Sequence, residues 1–115
     1  MVLLPIPGCY SRAMTPGMTI PFKQREFDLV VKYNRYGFRG AEFPIVKKQG
    51  ELRVLLLGDS MIEGQGVAED RRVSDVLQKK LDKEAMFQKC AVINGAQIAT
   101  NPDEYYRNLN ALVLL

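Results

Sequence analysis

Four apolar residues in a row, Val54-Leu55-Leu56-Leu57, run straight into Gly58-Asp59-Ser60. A continuous apolar run that ends on a turn signal predicts a strand buried on both faces, the kind found in parallel sheets. Upstream, Phe27 to Tyr33 mixes β-branched and aromatic residues with partial alternation and predicts another strand. Asn34-Arg35-Tyr36-Gly37 reads as a turn, with Phe38-Arg39-Gly40 extended beyond it. After Gly-Asp-Ser, the stretch Ala68-Glu69-Asp70 offers acceptors and acidic charge for a helix start. Val73, Val76, Leu77 and Leu81 then recur at helical spacing, one face to bury, with Gln78, Lys79, Asp82 and Lys83 left to solvent.

Cys90 to Ile93 predicts a second buried strand, closed by Asn94-Gly95. Strand, helix and strand in that order form a βαβ crossover, which makes the two strands parallel. A last helix opens at Asn101, with Pro102 in its first turn and Glu104 placed to complete a capping box. Tyr105, Leu109, Leu112 and Val113 share one of its faces. Ahead of all this, Pro5, Pro7, Gly8, Pro16, Gly17 and Pro21 leave little regular structure to expect over residues 1–22. Residues 1–26 therefore read as an extended arm and 27–115 as the folded unit. The apolar end Ala111-Leu112-Val113-Leu114-Leu115 carries no helix-stop signal and reads as a cut.

With 115 residues there is room for one small domain. A hydrophobic share of 47% and a charged share of 25% are those of an ordinary globular protein. A net charge of +3, with basic pairs scattered at Lys47-Lys48, Arg71-Arg72 and Lys79-Lys80, argues against a nucleic-acid partner. No apolar run reaches the roughly 20 residues that span a bilayer. Cys9 and Cys90 make no disulfide framework. Ile6-Pro7-Gly8-Cys9 has the look of a lipoprotein cleavage site, but too little apolar sequence and no basic residue precede it.

Neither a cofactor nor a metal is expected. Gly64-Gln65-Gly66 lacks the Walker lysine and the full dinucleotide fingerprint. Asp59, Glu63, Glu69 and Asp70 could be imagined around magnesium, but a capped helix start explains the last two more simply. Tyr105 and Tyr106 read as packing and surface residues, since no basic groove accompanies them. The most restrictive number is zero histidines: a mechanism that needs an imidazole base cannot run on this chain alone.

Gly-Asp-Ser at a strand end suits nucleophilic chemistry, because open α/β folds work at the carboxyl edge of the sheet. Glycine permits the sharp turn, Asp59 can bond the loop backbone, and Ser60 presents a hydroxyl and an amide to the cleft. A serine needs a base for its proton and donors for the developing oxyanion. In this context Arg53-Val-Leu-Leu-Leu-Gly-Asp-Ser-Met-Ile-Glu-Gly-Gln-Gly-Val67 resembles the first block of the SGNH hydrolases, the GDSL-type esterases and lipases. Asn34-Arg-Tyr-Gly-Phe-Arg-Gly-Ala-Glu42 is similar to a segment that often precedes that block in bacterial members, and Val92-Ile93-Asn94-Gly95 falls where the second block begins.

The resemblance implies a three-layer α/β/α flavodoxin-like sandwich with a parallel sheet, of which this chain is the first half. It implies Ser60 as nucleophile and first oxyanion amide, supported at its turn by Asp59. The family's second donor is a glycine amide, which by position falls at Ala99, usable only if the backbone there tolerates a Cβ. Asn94 lies on the wrong strand to be the family's third-block asparagine, and the Asp-His block has no counterpart here. The expected function is a serine ester hydrolase of acyl, acetyl or carbohydrate esters, with the chain as given inactive for want of the histidine. The alternatives are a non-catalytic α/β interaction module and an SGNH-like acyltransferase. Two parallel strands and two helices leave a sheet edge uncovered, so self-association through that edge is also expected.

Overall fold

Hydrophobic alternation and a proline set the first element. In the computed structural model, which describes residues 16–44, 46–84 and 89–113 (the last three as backbone only), β1 (Thr19–Lys23) pairs antiparallel with β2 (Asp28–Lys32). A strand at 19–23 departs from the expected arm, and the pairing shows why Pro21 permits it. Tyr33 N–H donates to Met18 C=O at 2.9 Å and Gln24 N–H to Phe27 C=O at 2.8 Å, which places Pro21 opposite Val30 in a non-hydrogen-bonded pair. The nitrogen that proline cannot protonate points away from the partner strand, so no ladder bond is lost. The arm over residues 1–15, with Cys9, lies outside the described residues, as do residues 114–115 and the side chains of Leu112 and Val113.

The predicted turn at 34–37 forms around Asn34, whose Oδ1 accepts from Tyr36 N–H at 3.0 Å and Phe38 N–H at 3.1 Å. Tyr36 and Phe38 are each 1% exposed and supply the largest apolar side chains of the core, with Val31 and Ala96 also buried. Arg39, bridged to Tyr33, sends a 3%-exposed guanidinium across to the segment after the Gly-Asp-Ser turn. It donates to the Gly64 and Val67 carbonyls and to Glu69.

β3 (Leu52–Leu56) and β4 (Cys90–Asn94) form the parallel pair, in register Leu52↔Cys90 to Leu56↔Asn94. Between them come α1 (Ser60–Glu63) and α2 (Val73–Asp82), and after β4 comes α3 (Pro102–Val113). Among the described residues the architecture is thus a small mixed α/β domain with a two-stranded parallel sheet, an antiparallel hairpin and three helices. Val54 to Leu57 are half-buried here, not enclosed on both faces, because β3 has one paired neighbour and helix packing reaches mainly β4, through α2.

Leu52 N–H donates to Lys89 C=O and Gly95 N–H to Leu56 C=O, each at 2.8 Å. By this alternation the backbone groups of Leu55 face away from β4, whereas those of Cys90 and Val92 face away from β3. Gln78 closes that second edge: its side-chain amide accepts from Val92 N–H at 2.7 Å and donates to Cys90 C=O at 2.8 Å.

The helix α2 differs from expectation at its start. Glu69 and Asp70 do not cap it; the N-cap is Arg72, and the Asp75 carboxylate accepts from the amides of Arg72 and Asp70. The buried side is correspondingly rotated. Ser74 is buried while Val73 and Val76 are 50% and 41% exposed, and Gln78 is drawn from solvent onto the strand edge. At α3 the capping box forms as its residues predict: Glu104 N–H donates to Asn101 Oδ1 at 3.2 Å and Asn101 N–H to Glu104 Oε2 at 2.8 Å. No helix among the described residues is long and apolar enough to cross a membrane.

Candidate active site

The turn after β3 is tight because glycine leaves room for it. A Cβ on Gly58 would sit 2.5 Å from Ile62 Cγ1, so helix α1 folds back directly over the strand end. Asp59 is extended (φ −96°, ψ −155°) and caps α1, its Oδ1 accepting from Met61 N–H at 2.9 Å. Ser60 is therefore the first helical residue, half-exposed at the carboxyl end of β3. Gly64 ends the helix at φ +90°, where a Cβ would also run into the Arg72 side chain at 2.6 Å. One turn of helix between two obligatory glycines fixes the direction of the serine.

The second wall comes from the loop after β4. Gln97 N–H donates to Gly58 C=O at 3.1 Å, and the Thr100 hydroxyl lies 3.2 Å from the same carbonyl and 2.7 Å from Gln97 C=O. Ala99, between them, is exposed and has φ +59°, the left-handed region in which Cβ crowds the backbone and glycine is favoured. Alanine there occupies a glycine conformation, at a cost of order 1 kcal/mol. Among the described residues the N–H groups of Ser60 and Ala99 have no acceptor. One of these amides opens α1 and the other lies in the loop after β4 that is bonded to Gly58.

No base completes the set. Among the described residues nothing hydrogen-bonds the Ser60 hydroxyl, and the sequence has no histidine to do so. The nearest acid, Asp59, is occupied by Met61 N–H, and it also faces Tyr105 from α3. Partial desolvation first, then the charge of Asp59 and Glu104, push the Tyr105 hydroxyl above its ordinary range. Tyr105 thus has a place beside the turn, more specific than the packing residue expected. Asn94 acts within the scaffold: it donates to Ile62 C=O at 2.8 Å and accepts from Ala96 N–H at 3.1 Å, tying the two exit loops together.

Sequence reasoning meets Glu63 only as one of four acids that could be imagined around magnesium, not as a buried group. Glu63, one helical turn after Ser60, is 5% exposed, and it faces Tyr33, just after β2, and Arg39. Burial pushes its carboxyl above the usual range, against the lowering effects of the Ile98 amide, the Arg39 and Arg72 charges and the Tyr33 hydroxyl. Burial and the Glu63 carboxylate in turn raise the Tyr33 hydroxyl. These groups close one end of a hollow of about 150 Å³ between the hairpin and α1. The Glu63 position gives no local signal, since a glutamate before glycine in a short helix reads as a surface residue. Among the described residues no three His, Cys, Asp or Glu side chains are grouped to hold a metal.

Compared with protein-family models, curated proteins and solved structures, the chain matches none.

Proposed function

We propose that this chain is the nucleophile-bearing part of a serine esterase that cleaves acyl, acetyl or carbohydrate esters through an acyl-enzyme. Ser60 Oγ adds to the carbonyl carbon to form a tetrahedral intermediate, and the ester C–O bond breaks as that intermediate collapses. The proton passes to a base and then to the departing alkoxide, and water later releases the acid. The carbonyl oxygen, negative in the tetrahedral intermediate, is held by the Ser60 and Ala99 amides. The base is a histidine from outside these 115 residues, since none is present within them.

One observation carries this reading: the Gly58 carbonyl binds Gln97 N–H and lies against the Thr100 hydroxyl, which brings the Ala99 loop beside the Gly58-Asp59-Ser60 turn. The missing histidine favours a second reading, a non-catalytic interaction module with the same shape. An acyltransferase shares the nucleophile and differs only in its acceptor. The finer architecture that goes with the esterase is the three-layer flavodoxin-like sandwich. Gln78 closes the outer edge of β4, so further strands would add beside β3, and the chain by itself would self-associate there. A monodisperse monomer by light scattering would count against that edge.

The test of the esterase is kinetic. Alone, the chain should give no turnover of a chromogenic acetate ester. Added imidazole should raise hydrolysis above its own background by an increment that Ser60→Ala removes. An increment equal in both proteins favours the non-catalytic module. Turnover without imidazole, lost in Ser60→Ala, would mean that a base within the chain has been overlooked.

A further inference from the structure

We propose that the hollow between the hairpin and α1 binds a small primary amine, its apolar body against Phe22, Val31 and Ile98 and its ammonium on the Glu63 carboxylate. This site is independent of the role given to Ser60.

The hollow has one polar end and otherwise apolar walls, from Ile20, Phe22 and Val31 on the hairpin and Ile98 on the loop after β4. Its volume of about 150 Å³ matches engineered cavities that admit benzene, so it takes a body of four to six heavy atoms. The half-buried Tyr33 and the buried Glu63 and Arg39 form the polar end, and exposed Gln65 stands at the rim.

Charge selects the ligand. Arg39 is committed elsewhere: Nε lies 3.0 Å from Glu69 Oε1, and the two terminal nitrogens donate to the Gly64 and Val67 carbonyls. Arg72 is likewise held by Asp75 at 2.9 Å and Glu69 at 3.2 Å. Two guanidiniums thus face three carboxylates, and the one with no direct ion pair among the described residues is Glu63, which the Arg39 and Arg72 charges reach only at longer range. A buried carboxylate without a cation either takes up a proton or binds a positive ligand. An ammonium supplies that charge and three donors. A carboxylate ligand would add repulsion, and an alcohol would leave the charge unmatched. The groups facing Glu63 are Tyr33 just after β2, Arg39 from the extended segment, Arg72 at the start of α2 and the Ile98 amide.

The experiment is a titration of the ¹⁵N-labelled full chain near neutral pH, followed by amide shifts, with n-butylamine, n-butanol and sodium butyrate in parallel. Saturable shifts at Val31, Tyr33, Glu63, Gln65 and Ile98 are expected with the amine, at an affinity about tenfold or more above that for the alcohol, as one charge-assisted hydrogen bond implies. Butyrate should bind weakest. In Glu63→Gln the amine should fall to the alcohol's affinity while the alcohol is unchanged. Equal affinity for amine and alcohol in the unmutated chain would overturn the proposal, leaving an apolar hollow only. So would absence of saturable binding, a preference for butyrate, or an amine preference that survives in Glu63→Gln. The comparison of the three probes on the unmutated chain decides even if Glu63→Gln does not fold.

Discussion

Replacing Arg39 by methionine should cost a large share of the domain's stability. The side chain is 3% exposed, and its guanidinium makes three contacts, two of them to main-chain carbonyls after α1. Methionine keeps most of the volume, so the loss is polar. The Gly64 and Val67 carbonyls each lose a charged donor, at about 1.5–3 kcal/mol apiece if no water replaces it. Glu69 is 40% exposed and retains Arg72 at 3.2 Å, so its share is small. Partial rehydration trims the sum to about 3–5 kcal/mol, the range for breaking a buried charged pair. Against a total of roughly 5–15 kcal/mol for a domain, this is a large fraction.

Urea melts followed by circular dichroism measure the change. With a slope of about 1–3 kcal/mol per molar, the midpoint should fall by at least about 1 M. Arg39→Lys should also lose most of this stability, because an ammonium cannot span two carbonyls and a carboxylate in one plane. Arg25→Met, in the exposed hairpin turn, should change stability by less than about 0.5 kcal/mol. A drop under about 1 kcal/mol for Arg39→Met, or full rescue by lysine, would refute the assignment of this guanidinium as the tie between the Asn34–Gly40 segment and the serine turn.

Two further outcomes come from the same contacts. Glu63 has a folded-state carboxyl raised above the ordinary value of 4.5, chiefly by burial. Its protonated form is therefore favoured by folding, and its contribution is intact below that value and declines as pH rises toward the folded one. Urea melts of the parent and Glu63→Gln across this range should show the parent losing stability relative to the variant as pH increases; a constant difference would contradict the burial effect. Gln78→Leu leaves Val92 N–H and Cys90 C=O without their side-chain partner and should cost about 1–3 kcal/mol, with faster hydrogen exchange at Val92. Unchanged exchange there would mean that the amide does not close the strand edge.

What could be read from the sequence was set by local chemistry. The apolar run before Gly58, the Asn34 turn and the Asn101–Glu104 cap each depend on neighbouring residues, and each forms where its residues predict. The α2 start was misplaced because Glu69 and Asp70 are good acceptors in isolation, whereas Asp75 gathers the amides and Arg72 fixes the entry through contacts across the fold. Pro21 discourages a strand that its place in a non-hydrogen-bonded pair allows. Gln78 and Glu63 were illegible for a common reason: a polar residue on a helix reads as solvated until a strand edge or a hairpin is placed against it. At the serine turn the strand-end position of Gly58-Asp59-Ser60 was legible, and the left-handed Ala99 was not, since alanine carries no conformational signal.

The nucleophile itself is tested most directly with a fluorophosphonate, followed by intact mass and peptide mapping in the presence of imidazole. One adduct per chain on Ser60, absent in Ser60→Ala, is the predicted result. No adduct, or one mapping to a tyrosine or lysine while Ser60 stays free, would contradict it.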